Sequence, residues 1–150
     1  MKRIVRGICF DSTSIPLPQR KLLLIYEHGN WRFPGGHCEG EGNDGEGANP
    51  ALVREFKEET GLDVRVGALV YTLQIPDLSA LQSPDRSGNK TLFFEVRPVG
   101  GELIQTMMAQ GVSPAWFPVS ELGKIKMSKY WRYTAKRILS YLRRKETFRG

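Results

Sequence analysis

Short apolar runs separated by polar, glycine- and proline-rich stretches fill the N-terminal two-thirds of the chain, and a long amphipathic stretch closes it. Residues 2–10 and 21–27 (KLLLIYE) are dense in aliphatic and β-branched side chains and are parted by a turn-like Ser14-Ile15-Pro16-Leu17-Pro18, which predicts two strands. His28-Gly29-Asn30 reads as a turn, and Trp31-Arg32-Phe33 as a brief strand broken by Pro34, Gly35 and Gly36. The glycine-rich stretch 35–49 is expected to lack regular structure. Asn49-Pro50 then gives a helix start, with Asn as cap and Pro in the first turn, and Gly61 gives the stop. Residues 64–75 and 91–96 read as strands joined by a long polar loop, and 116–119 as a last short strand. From Ser128 onward Tyr130, Trp131, Tyr133, Thr134, Ile138, Tyr141 and Leu142 recur at helical spacing, predicting a C-terminal helix whose aromatic stripe faces a core. Strands interleaved with two helices point to a layered α/β or α+β fold.

Length and composition narrow the picture without giving a function. The 150 residues fit one domain, 1–150, large enough to bury a core unaided. Cys9 and Cys38 form neither a CxxC nor a Cys/His cluster, and the N-terminus turns polar too soon for an export signal, so a reduced, cytoplasmic setting is expected. No apolar run approaches the roughly 20 residues of a membrane span. Much of the net charge of +6 sits between Lys124 and Lys145. That basic tail reads as a solvated helix face, with attraction of phosphate-rich ligands or RNA as the other reading. His28 and His37 lack the spaced partners of a zinc site, and no G-x-S-x-G elbow supports serine nucleophile chemistry.

The helix that ends at Gly61 carries the chemistry. Glu55, Glu58 and Glu59 stand at i, i+3 and i+4 and so share one face, while Leu52, Val53 and Phe56 form the neighbouring apolar stripe. Three like charges repel there, and acids near a helix C-terminus also oppose the macrodipole. A divalent cation removes both objections, because Mg²⁺ takes hard oxygen ligands and joins a few carboxylates to substrate phosphates. A solvated acidic face beside Arg54 and Lys57 is the alternative.

Spacing around the triplet decides between them. Glu46 precedes Arg54 by eight positions and Gly40 lies six before that, so the chain satisfies G-x5-E-x7-R-E-U-x-E-E-x-G-U, with U a bulky apolar residue. This pattern, with the preceding Trp31-Arg32-Phe33-Pro34-Gly35-Gly36, resembles the Nudix box and its approach. One departure is plain: Glu39 is parted from Gly45-Glu46 by five residues, so Gly40 and Gly36 cannot both be the box glycine. We favour Gly36, with an insertion of about four residues; the helix register is the same either way.

The resemblance implies an α/β/α sandwich with a mixed β-sheet, and a hydrolase using Mg²⁺ or Mn²⁺. Position by position it implies that Glu55, Glu58 and Glu59 bind metal and carry catalysis, with a backbone carbonyl at Gly35 as a further ligand. It also implies that Phe33, Gly35 and Gly36 approach substrate, and that Glu46 and Arg54 form an ion pair orienting the helix, with Gly61 as its structural end. Glu55 or Glu58 is the expected base. Where relatives carry an additional acid before a Trp such as Trp116 this chain has Gln110, so Glu95, at a strand end, is the candidate for that role. The expected reaction is attack of a metal-activated water on a phosphoanhydride in a nucleoside diphosphate linked to another moiety. A non-catalytic nucleotide- or RNA-binding module on the same fold is the competing reading. Substrate, number of metal ions and oligomeric state are left open by the sequence.

Overall fold

The computed structural model describes residues 3–38, 47–74, 90–109 and 111–149. Nine strands and two long helices occur in it: β1 (Arg3–Cys9), β2 (Lys21–Glu27), β3 (Asn30–Arg32), β4 (Gly35–His37), α1 (Ala48–Thr60), β5 (Leu62–Gln74), β6 (Lys90–Gly101), β7 (Thr106–Met108), β8 (Gly111–Ser113), β9 (Ala115–Pro118) and α2 (Lys129–Arg149). One sheet has the order β4-β1-β6-β5 and a second the order β3-β2-β9, with β7 and β8 forming a separate hairpin. The larger sheet is mixed, since β1 runs parallel to β6 but antiparallel to β4.

Strand alternation explains the layers. Because successive side chains leave a strand on opposite faces, Val5, Cys9 and Leu23 join Ala51, Leu52 and Phe56 beneath α1. Ile8, Phe10, Leu22 and Leu24 turn the other way, to Tyr130, Trp131, Ile138 and Leu142 of α2. The result is the expected α/β/α sandwich with a mixed sheet. Gly7 lets α1 come close: a Cβ there would lie 2.2 Å from a ring carbon of Phe56. On α2 the buried residues recur as Tyr130/Trp131, Thr134/Ala135, Ile138 and Leu142, while Tyr133 and Tyr141 of the expected stripe are exposed. A stripe of helical spacing covers only part of the circumference, and those two tyrosines lie outside it.

Several expectations change. Gly35–His37 is not irregular but pairs with β1, Arg6 opposite Gly35 and Val5 opposite Gly36. The cap of α1 is Gly47 rather than Asn49; Asn49 and Pro50 lie inside the first turn, where amides have no intrahelical partner to lose. Gly61 ends α1 as expected, left-handed at φ 82°, with its N–H donated to the Lys57 carbonyl at 3.0 Å. The β7–β8 hairpin was not anticipated. Glu46, Gly40, Gln110 and the polar stretch 76–89 lie outside the described residues, so the Glu46–Arg54 pair and the choice against Gly40 find no structural statement. No helix among the described residues is long and apolar enough to cross a membrane.

Candidate active site

The last turns of α1 and the diglycine strand β4 build one polar locus. α1 sits on the sheet through Ala51, Leu52 and Phe56, which turns Glu55 and Glu59 toward β4 at the sheet's edge. The Gly35 N–H donates to Glu59 Oε1 at 2.7 Å. Glu55 lies against the next residue, because a Cβ on Gly36 would stand 2.7 Å from its carboxyl carbon. A side chain there would displace that carboxylate. Gly35 is constrained as well: its φ of 147° disfavours other residues, and a Cβ would meet the Val5 carbonyl oxygen at 1.9 Å. Gly35 is therefore required by the close approach of β1, and Gly36 gives the Glu55 carboxylate its place.

Burial raises the Glu59 carboxyl to a pKa of about 7. The Gly35 N–H pulls the other way, as do the Arg6 and Arg32 guanidinium groups, while the neighbouring Glu55 charge adds to the rise. Arg54 attends to the other acids, placing Nη1 at 3.1 Å from Glu55 Oε1 and 3.3 Å from both Glu58 oxygens, and Nη2 at 3.3 Å from the His37 carbonyl. Glu58 is the most solvated of the three, its side chain 58% exposed against 16% for Glu55.

The expected three-carboxylate cluster is thus not assembled in this geometry. Among the described residues no group of three or more His, Cys, Asp or Glu side chains stands close enough to hold one ion. Glu59 turns to Gly35, while Arg54 reaches both Glu55 and the exposed Glu58. Glu55 and Glu59 are close enough to repel and are seated against a backbone with no side chain in the way. That donor set fits Mg²⁺, which commonly takes one or two carboxylates and fills its octahedron with water and phosphate oxygens.

Other expected site residues fare differently. Phe33 is corrected: it is 1% exposed and packs edge-on against Phe93 at 5.6 Å, with Trp131 behind it at 6.3 Å, so its ring belongs to the core and cannot face a ligand. The Gly35 carbonyl, expected as a loop ligand, accepts the Arg6 guanidinium at 3.1 Å. Glu95 lines a separate cavity with Arg20, Arg65 and Arg97, which shares no residue with the groove beside Glu58 and Glu59.

Sequence reasoning missed Arg6 and Arg32. Both are buried, at 5% and 4% exposure, and lie over the Trp131 ring at 5.0 and 6.0 Å. Arg6 also donates to the Phe33 carbonyl at 3.1 Å, tying the Pro-Gly-Gly approach to β1, and Arg32 pairs with Glu27. The signal was available in Arg6, a lone charge within the apolar run of β1. A groove of about 270 Å³ opens beside the acids, bounded by Glu58, Glu59, Tyr26, Glu27 and the β7–β8 hairpin.

Comparison with known proteins identifies the family. Residues 1–140 match the model of the NUDIX domain. An 8-oxo-dGTP diphosphatase of Proteus vulgaris is 34% identical over 87 residues, which cover 58% of this chain and 68% of that protein. An ADP-ribose pyrophosphatase structure from Streptococcus suis superimposes with a TM-score of 0.59 at 25% identity, covering 99% of this chain and 92% of the other. A structure of a UDP-X diphosphatase gives 0.64 at 19% identity; the match covers 99% of this chain but spans only 64% of that longer one. MutT from Aliivibrio salmonicida and Vibrio cholerae gives 0.64 at 22% identity, covering 93% of this chain and 96% of the other, which speaks to the fold alone.

Proposed function

Since this chain belongs to the Nudix family of hydrolases, we propose that it is a pyrophosphohydrolase acting on a nucleoside diphosphate linked to a further group, with Glu55 and Glu59 holding a divalent cation. The observation that carries the proposal is the seating of these two carboxylates on Gly35 and Gly36, with Glu59 at the wall of an open groove. The names of the relatives, an 8-oxo-dGTP diphosphatase, an ADP-ribose pyrophosphatase and a UDP-X diphosphatase, support a pyrophosphate linkage as the bond cut.

When bound, Mg²⁺ or Mn²⁺ supplies charge neutralisation on the pyrophosphate and acidifies a water nucleophile. The chain's own residues do the rest. Gly35 fixes the rotamer of Glu59 through its N–H, so that this carboxylate is oriented before substrate arrives. Glu55 is held from the opposite side by Arg54. Glu58, exposed at the groove, is the residue best placed to take a proton from water without losing a buried partner. The three box acids therefore divide the work: two hold, one exchanges protons. A purely nucleotide-binding protein has no use for the half-buried Glu59 beside Glu55, because each adds to the other's cost.

Chromatography of the nucleotide products formed from a panel of nucleoside triphosphates, nucleotide sugars, ADP-ribose and dinucleoside polyphosphates, with and without Mg²⁺, tests the reading. Metal-dependent turnover of at least one class is expected. No turnover of any of them, or turnover indifferent to chelation, contradicts it.

A further inference from the structure

The carboxylate groove is not the whole cavity system. It meets a second, larger cavity at Tyr26, which lines both. Trp31, Phe117, Ile125 and Lys126 frame this second space of about 480 Å³, and Gly111 and Val112 of β8 cover it. Such dimensions belong to small-molecule sites rather than packing defects.

Its walls are ordered by contacts the groove does not need. Trp31 meets Tyr26 edge-on, with ring centroids 5.3 Å apart and planes at 69°, and Phe117 likewise at 4.6 Å and 71°. Rings set nearly perpendicular leave faces looking into different directions, so a planar guest laid on one ring meets the edge of the next. The Trp31 N–H donates to the Lys126 carbonyl at 2.9 Å, fixing the segment that brings Lys126 to the rim. β8 is tied to the same strand, for the Tyr26 N–H donates to Ser113 Oγ at 2.9 Å. Ser113 itself lines the carboxylate groove while Gly111 and Val112 line the aromatic cavity. The hairpin and Tyr26 thus stand between two spaces, one suited to phosphate and metal, the other to a flat apolar group.

We propose that the aromatic cavity receives the base of a nucleotide whose pyrophosphate lies on the Glu59 side of Tyr26, an inference that rests on the pyrophosphohydrolase reading. Among the described residues the lining offers aromatic rings with the Tyr26 hydroxyl, aliphatic carbon and one cation, and no carboxylate or amide side chain to read a base edge. Recognition is therefore by stacking area, which every base provides and purines provide most of. The enzyme discriminates weakly among purines and disfavours pyrimidines.

Binding of AMP, CMP and ribose 5-phosphate to the metal-free protein, measured by calorimetry, isolates the base. AMP is expected to bind about tenfold more tightly than ribose 5-phosphate, with CMP between them. Phe117→Ala removes one stacking face and Val112→Trp fills the cavity from its cover; thermal melts identify whichever variant remains folded, and that variant should bind AMP and ribose 5-phosphate alike. Equal affinity in the wild-type protein, no measurable binding of AMP, or an AMP advantage that survives in a folded variant overturns the proposal. Neither metal nor turnover enters this measurement. Failure here leaves the carboxylate mechanism standing, and an AMP preference without Mg²⁺-dependent turnover would refute the mechanism alone.

Discussion

The two helices that enclose the sheets are built for opposite ends. α2 presents Tyr130, Trp131, Ile138 and Leu142 to one core, and its part-buried charges find partners nearby, Arg132 donating to the Leu122 and Ile125 carbonyls and Glu146 pairing with Arg20. α1 spends its inner stripe on Ala51, Leu52 and Phe56 but carries two interacting acids on the adjoining face, one of them held ionisable only near neutral pH. Packing stabilises the first without electrostatic cost. In the second, packing compensates for a charge arrangement that a structural helix would avoid, and the compensation points to what the acids are for.

The contrast can be broken at its strongest point first. Trp131 is 1% exposed and touches Phe33, Tyr130 and Arg6, so Trp131→Ala should lower stability by about 3–5 kcal/mol in urea unfolding. A loss below about 1 kcal/mol would mean that α2 is not what holds this core. Glu59→Gln should behave in the reverse sense, cutting turnover on the order of 100-fold or more while leaving the urea midpoint of the metal-free protein unchanged or raised. A simultaneous loss of stability would make Glu59 a structural residue.

A pH experiment sharpens the same distinction. The Glu59 carboxyl titrates near 7 in the fold against 4.5 for an unperturbed glutamate. Between those values the folded protein keeps a proton that the unfolded chain has released. This group's contribution to stability is accordingly complete below pH 4.5 and disappears as pH rises through about 7. The metal-free protein should thus lose stability between about pH 4.5 and 7, and Glu59→Gln should flatten that slope. Cation affinity should run oppositely, falling up to about tenfold per unit as pH drops below 7, because the ion displaces the proton. The smallest effect belongs to the outer face of α2: Tyr133 is 46% exposed, so Tyr133→Ala should change stability by less than about 0.5 kcal/mol in the same unfolding assay.

Legibility in the sequence followed the physics of each signal. α1, α2 and the longer strands were readable because periodicity reports which face is buried, and the acid face of α1 because i, i+3, i+4 spacing fixes geometry by itself. Phe33 was misread: it lies between β3 and β4, and its ring is directed by packing on Phe93 and Trp131, far away in sequence, which local pattern does not encode. The different surroundings of Glu58 and Glu59 have a related origin. A shared helical face places side chains within reach of one ion, but Arg54 on the same helix competes for them. Arg6 and the β7–β8 hairpin depend on contacts distant in sequence, from Phe33 and from Tyr26, and no window along the chain contains both partners.

The central claim is that Glu55 and Glu59 form a seat for a divalent cation on the diglycine strand. Mn²⁺ titration followed by electron paramagnetic resonance measures it without reference to any substrate. Saturable binding that weakens at least tenfold in both Glu55→Gln and Glu59→Gln is the predicted result, and Mn²⁺ affinity identical in the wild-type protein and both folded variants would contradict it.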